Sequence, residues 1–167
     1  MARRWWLELP TNPSVLRIHV DQELTDRTIL TGPPAPIAHP LGGLLEIEAV
    51  RTVDLHRYHA RVNLGHGEDR SVTARHVREI LQAAWGAEVG AVDAASDPRA
   101  FEVDYPGPRV VAESAEMAAG RDLLERLFTV DGVREAILGE GLVLVSIGRL
   151  FAWSTVESAV VGVLRPT

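Results

Sequence analysis

The sequence predicts an α+β fold made of two similar units. Each unit is expected to be an antiparallel β-sheet with two helices on one face, and the two are expected to pack as an internal pseudo-dimer. Three observations predict this: an internal repeat, short stretches of alternating apolar and polar residues, and an apolar helical stripe closing each half. The length of 167 residues fits one domain or two very small ones. We place the units at residues 1–86 and 87–167.

The repeat relates the two halves at one constant offset along most of their length. Residues 47–51 align with 130–134, and at the same offset residues 62–65 align with 145–148. Identity is low, but apolar and polar positions agree along most of both halves. We interpret this agreement as a tandem duplication.

Strands are predicted wherever apolar and polar residues alternate with a period of two. In the first half they fall at residues 6–9, 15–20, 28–30, 51–55 and 59–64, and in the second half at 87–92, 100–105, 109–112, 134–138 and 142–147. The last two strands of each half form a predicted hairpin. In the second half Gly139 and Gly141 favour its tight turn, because glycine tolerates positive φ.

Two helices are predicted in each half. The first, near residues 40–45, contains Gly42 and Gly43. Each glycine costs about 1 kcal/mol relative to alanine, so we expect this helix to be less stable than its counterpart around Leu124 and Leu127.

A closing helix ends each half. In the first half, an apolar stripe runs from Val77 to Trp85 and Gly86 is expected to end the helix. In the second half, residues 154–157 read Ser-Thr-Val-Glu, which predicts a capping box at the helix start.

Composition excludes several kinds of chemistry. The chain has no cysteine, which removes disulfides, thiolate nucleophiles and thiolate-held metal clusters. All 17 basic residues are arginine, so lysine Schiff-base chemistry and a Walker-A lysine are also excluded.

The net charge of −6 predicts a protein that binds neither nucleic acid nor anionic membranes. Residues 87–167 carry 7 arginines against 13 acidic residues, and no basic stripe is present. No apolar run approaches the length of about 18 residues that a membrane span needs. We therefore expect a cytoplasmic protein.

Three parts of the second half carry a resemblance. Residues 123–133 read LLERLFTVDGV, residues 142–147 form a predicted strand, and Trp153 precedes the last helix. Residues 11–18 of the first half, TNPSVLRI, add a second short match. Together these resemble the N-terminal domain of Nfu/NifU-type iron–sulfur scaffold proteins, here present as two tandem copies.

The resemblance implies protein contacts connected with iron–sulfur cluster assembly, with assembly factors or their clients as partners. In this family the cluster-binding cysteines lie in a separate CxxC domain, which this chain lacks. We therefore expect no cofactor here. We expect a non-enzymatic interaction or adaptor module that is monomeric, with the pseudo-dimer inside one chain.

The alternative is a small-ligand or metal-binding protein that uses the groove between the two copies or a histidine-bearing hairpin. His56, His59 and His66 are the weak metal candidates, since imidazole binds Zn²⁺, Ni²⁺ or Fe²⁺, and Asp54 could complete a site. Solvated hairpin histidines are the simpler interpretation. The third interpretation is an enzyme of uncharacterised activity.

If the protein acts by surface recognition, the hairpin tip and one tryptophan are the candidate contact residues. Arg57 and Tyr58 lie at the predicted tip, between His56 and His59. Trp5 is the other candidate anchor, because consecutive strand residues face opposite ways and one of Trp5 and Trp6 should be exposed.

Acidic residues concentrate near the start of the second unit's first helix. Glu113 and Glu116 are the candidates here for contacting a basic partner. The helix dipole explains such carboxylates without any function.

Overall fold

The computed structural model describes residues 3–90 and 97–166 of the chain. It separates into two compact units, residues 1–91 and 92–167. Each contains one antiparallel sheet and helices, which confirms the predicted α+β class. Within the two described ranges, no helix has both the length and the apolar character needed to cross a membrane.

Unit 1 contains a five-stranded antiparallel sheet. Its strands are β1 (Trp5–Glu8), β2 (Val15–Val20), β3 (Ile29–Thr31), β4 (Val50–Leu55) and β5 (His59–Leu64), in the spatial order β1-β2-β5-β4-β3. Because successive side chains of a strand point to opposite sides, the two faces of the sheet carry different residues. In β1, for example, Trp5 and Leu7 are buried while Trp6 and Glu8 are half-buried.

Two helical segments cover one face of this sheet. The first is a short 3-10 helix, Gly42–Glu46, and the second is α1, Arg70–Trp85. The helix predicted near residues 40–45 is thus a 3-10 helix and not an α-helix. A side chain at Gly42 would place its Cβ in steric conflict with the carbonyl oxygen of Ile37, so the close approach of the chain requires glycine there.

Helix α1 has clear boundaries. The Asp69 side chain accepts hydrogen bonds from the backbone N–H groups of Ser71 and Val72, and Gly86 ends the helix with φ of 94°. The helical and strand side chains share one core: Trp5, Leu7, Leu16, Ile18, Val20, Leu41, Leu44, Val50, Val53, Leu55, Ala60, Val62, Leu64, Ala74, Val77, Leu81 and Trp85.

Within residues 97–166, unit 2 contains a four-stranded antiparallel sheet and three helices. Its elements are β6 (Arg99–Glu102), β7 (Val110–Ala112), α2 (Ala115–Ala118), α3 (Asp122–Leu127), β8 (Val133–Gly139), β9 (Leu142–Ile147) and α4 (Trp153–Leu164). The strand order is β6-β9-β8-β7. The core contains Ala112, Ala118, Leu124, Leu127, Phe128, Val130, Val133, Ala136, Leu138, Val143, Val145, Ile147, Trp153, Val156 and Val160.

The two sheets share one strand order. β2-β5-β4-β3 in unit 1 and β6-β9-β8-β7 in unit 2 follow the same path along the chain. The pairing of β4 with β5 is irregular between Val50 and Thr52, and that of β8 with β9 is irregular between Val133 and Glu135. The sequence repeat aligns these same positions, Val50 with Val133 and Thr52 with Glu135. No strand within residues 97–166 corresponds to β1.

The predicted strand at residues 87–92 is wrong for residues 87–90, which are not a strand. They lie along the free edge of β1: the Val89 N–H donates to the Trp5 carbonyl at 2.9 Å, and the Leu7 N–H donates to the Glu88 carboxylate at 2.8 Å. Residues 91 and 92 lie outside the described ranges. Residues 87–90 therefore belong to unit 1.

The predicted capping box of the last helix is also wrong. Helix α4 begins at Trp153, ahead of the expected cap at Ser154, and no side chain in the described ranges caps it. The Thr155 hydroxyl instead donates to the Ala152 carbonyl at 2.8 Å. Trp153, the first residue of the helix, packs into the core of unit 2.

Candidate functional site

The sheet face opposite the helices in unit 1, called here the second face of unit 1, carries a row of four rings. The strand register places Trp6 beside His19 and His19 beside His59. The Trp6 and His19 rings stack with centroids 5.1 Å apart, and those of His56 and His59 stack at 4.3 Å. Aromatic pairs stacked in this way across neighbouring strands stabilise a sheet surface.

His19 is the most buried member of this row. Its side chain is 2% exposed, and its Nε2 lies 2.5 Å from an Oε2 oxygen of Glu8. A carboxylate at this distance makes a strong hydrogen bond to the imidazole. Glu8 is therefore turned towards the ring row.

A second row on the same face is charged. The register places Glu8, Arg17, Arg61 and Asp54 side by side on four adjoining strands. Asp54 accepts a hydrogen bond from the Asn63 side chain at 2.9 Å. Two arginines thus occupy neighbouring positions on the central strands, with an acidic residue on either side of the pair.

The structure brings together two of the three histidines proposed as metal ligands. His56 and His59 stack, but His66 is exposed in the turn after β5, at the far end of that strand. His59 is the first residue of β5 and Leu64 is the last. These five residue steps span about 17 Å, which separates His59 from the turn that contains His66. In the described ranges, no group of three or more histidine or acidic side chains is placed to hold a metal ion.

The hairpin tip is not the exposed surface that the sequence suggests. Arg57 is only 4% exposed and Tyr58 is buried. The Arg57 guanidinium pairs with Glu23 at 3.3 Å, and its carbonyl accepts the Leu24 N–H at 2.8 Å. The prediction of Arg57 and Tyr58 as contact residues is therefore wrong, because residues 23 and 24 pack against the tip.

The prediction of Trp5 as an exposed contact residue is also wrong. Its side chain is fully buried in the core of unit 1, and its indole N–H donates to the Gly86 carbonyl at 2.9 Å. Trp6 is the half-buried member of the pair and lies on the second face.

The two acidic candidates are exposed, as a contact role requires. Glu116 lies in the first turn of α2, and Glu113 lies just before it. Glu113 also influences a carboxylate that the sequence does not single out, Glu135 on β8. Burial raises the pKa of Glu135, and the nearby charge of Glu113 raises it further.

The second face of unit 2 is likewise the sheet face opposite the helices. It carries apolar residues in the row that corresponds to the charged row of unit 1. The register places Ala100, Leu144, Ile137 and Val111 side by side across the four strands. Leu142 and Leu144 are 41% and 36% exposed. Together with Arg109, Ile137, Gly139 and Glu140 they line a shallow depression of about 260 Å³.

Unit 1 has a larger depression, of about 470 Å³, at the end of α1. Arg3, His39 and Trp85 are among its lining residues. The Arg3 guanidinium lies 5.0 Å from the Trp85 ring centre, and burial lowers the pKa of Arg3. The guanidinium of Arg3 therefore already covers the Trp85 ring that lines this depression.

No family model, curated protein or solved structure matches this chain. Residues 123–133, on which the resemblance to the Nfu/NifU N-terminal domain depends, contribute Leu124, Leu127, Phe128 and Val130 to the core of unit 2. Such residues define packing. The candidate binding surfaces are therefore the two second faces.

Proposed function

We propose that this chain is a non-enzymatic protein-interaction module, and that the second face of unit 2 binds its partner. The exposed leucine pair, Leu142 and Leu144, is the observation that carries the proposal. The resemblance to the Nfu/NifU N-terminal domain supports partners from iron–sulfur cluster assembly.

The location of these leucines favours binding over core packing. An antiparallel sheet with helices on one face ordinarily presents polar side chains on the other. Here Leu144 lies between Ala100 and Ile137 in one continuous apolar row. Apolar side chains that remain accessible along one row of a sheet are typical of an interaction site.

Charged groups at the ends of this surface would orient a partner. Exposed Glu102 lies on β6 opposite Leu142, and exposed Arg109 lies beside Gly139 at the other side of the sheet. An apolar centre with a charged rim is the usual composition of a protein-binding surface. We expect a partner that offers apolar side chains with charges of both signs around them.

The proposal includes a duplication origin for the two units. Their shared strand order supports it, as does the recurrence of the same pairing irregularity at the positions that the sequence repeat aligns. On this view, the two copies kept one architecture while their second faces diverged.

Affinity capture with matched variants tests the proposal. The tagged wild-type chain, Leu142→Ser/Leu144→Ser and the control Leu30→Ser are incubated with lysate of the native organism. Leu30 is 74% exposed on β3 of unit 1, so its substitution removes a comparable apolar side chain elsewhere.

Proteins retained by the wild type and by Leu30→Ser, and lost by the double variant, would support the proposal. Retention of the same proteins by all three chains would overturn the assigned surface. Measuring iron in the eluates, and identifying the retained proteins, tests the connection with cluster assembly separately.

A further inference from the structure

The central pair of arginines on the second face of unit 1 is electrostatically unfavourable by itself. Arg17 on β2 and Arg61 on β5 are direct register partners, so both side chains leave the same face of the sheet. Like charges directly opposite each other on neighbouring strands destabilise a sheet. A negative charge held close to both guanidinium groups would therefore be favourable.

Neither neighbouring carboxylate forms an ion pair with these arginines. Glu8 is directed to the His19 ring at 2.5 Å, and Asp54 accepts from the Asn63 amide at 2.9 Å. Among residues 3–90 and 97–166, no ion pair or side-chain hydrogen bond joins either arginine to an acceptor. The guanidinium groups thus retain their donors.

Arg61 gives a second, independent indication. Its Nε atom is buried, yet it has no hydrogen-bond acceptor within the described part of the chain. Buried polar groups in folded proteins are normally hydrogen-bonded, so an exception of this kind needs an explanation. The buried Nε leaves the Arg61 guanidinium partly desolvated, while its terminal amino groups are not among the buried orphans and can meet an acceptor supplied by a bound molecule.

We propose that Arg17 and Arg61 form a binding site for a single oxyanion group, a carboxylate or a phosphate, held between the two guanidiniums. Each planar guanidinium can donate two parallel hydrogen bonds to such a group. The site lies in unit 1 and is independent of the protein-binding surface assigned to unit 2.

The surroundings restrict the size of the ligand. Glu8 and Asp54 lie at the two sides of the arginine pair, so an extended polyanion would meet a repulsive carboxylate in either direction across the strands. Half-buried Trp6 in the adjacent ring row offers apolar surface to the organic part of a ligand. The site therefore fits a small organic acid or phosphate ester.

Side-chain NMR of the full-length chain tests the site directly. The Nε–Hε resonances of the arginines are followed while sodium phosphate or sodium acetate replaces sodium chloride at constant ionic strength. Saturable shifts of Arg17 and Arg61 are expected, while Arg75, exposed on α1, should show no saturable shift.

Variants then test whether the two arginines act together. Arg17→Gln should weaken binding, measured at Arg61, by about tenfold or more, because one charged donor pair is lost. The control Arg75→Gln should leave the dissociation constant unchanged. Thermal unfolding of each variant verifies that the fold is retained.

Saturation with phosphate alone would identify a phosphate ester as the ligand class, and saturation with acetate would identify a carboxylate. Either result supports the site. Linear shifts with both salts, equal to those of Arg75, would overturn it. An unchanged dissociation constant in a folded Arg17→Gln variant would also overturn it.

Discussion

The same row of the sheet is charged in unit 1 and apolar in unit 2. Strand order and register make Arg61 equivalent to Leu144 and Asp54 equivalent to Ile137, and the sequence repeat aligns the same two pairs. The core faces of both sheets are predominantly apolar. The core face thus fixes the fold, whereas the second face is free to acquire different binding chemistry.

The largest predicted effect tests the contrast between the two faces within unit 1. Trp5→Ala empties a fully buried core position and should lower the free energy of unfolding by about 3–5 kcal/mol. Trp6→Ala removes a half-buried ring and should cost clearly less. Chemical denaturation measures both variants, and equal losses would contradict the distinction between the faces.

The next effect tests whether the polar second face of unit 1 also contributes stability. Glu8→Gln removes the carboxylate that lies 2.5 Å from buried His19 and should cost about 1–2 kcal/mol. Glu116→Gln, at an exposed position in α2, is the matched control and should change stability little. A loss no larger than that of the control would show that the pair contributes no stability.

A pH-dependent effect distinguishes unit 2. The folded state raises the pKa of Glu135, first by burial and then through Glu113, so the native protein binds this proton more tightly than the unfolded chain. The free energy of unfolding therefore decreases as pH rises from the ordinary pKa of glutamate through the raised one. Glu135→Gln should stabilise the protein at neutral pH.

That gain should disappear below the ordinary glutamate pKa, where Glu135 is neutral in both states. Thermal unfolding of the wild type and of Glu135→Gln across this interval measures it. A gain that is independent of pH would contradict the assigned cause.

The smallest predicted effect comes from giving the charged row of unit 1 one residue of the apolar row of unit 2. Arg61→Leu places in unit 1 the residue found at the equivalent position of unit 2 and removes one of two facing positive charges. It should stabilise the protein by about 0.5 kcal/mol at low salt and by less at high salt, because ions screen the repulsion. Denaturation at two chloride concentrations measures this, and destabilisation at low salt would contradict it.

Local patterns predicted most of the elements. Alternation identified both hairpins, and the apolar stripe from Val77 to Trp85 identified α1 with its stop at Gly86. These features depend on neighbouring residues, so the sequence contains what determines them.

The misplaced features depend on contacts between distant segments. The burial of Arg57 arises from packing against Glu23, 34 residues away, which no periodicity indicates. Residues 87–90 resemble a strand in pattern, but Glu88 and Val89 bind the edge of β1. Alternation gives the face on which Arg17 lies, whereas only the pairing of β2 with β5 brings it beside Arg61.

The attachment of Glu88 and Val89 to β1 has a consequence for self-association. β1 is an edge strand, and an edge with unpaired backbone groups can recruit a strand from another chain. The Trp5 carbonyl and the Leu7 N–H, both on this edge, are already bound by residues 88 and 89. A fragment ending at Trp85 would expose both groups and invite strand-to-strand aggregation, while one extended through residue 90 would keep this edge closed.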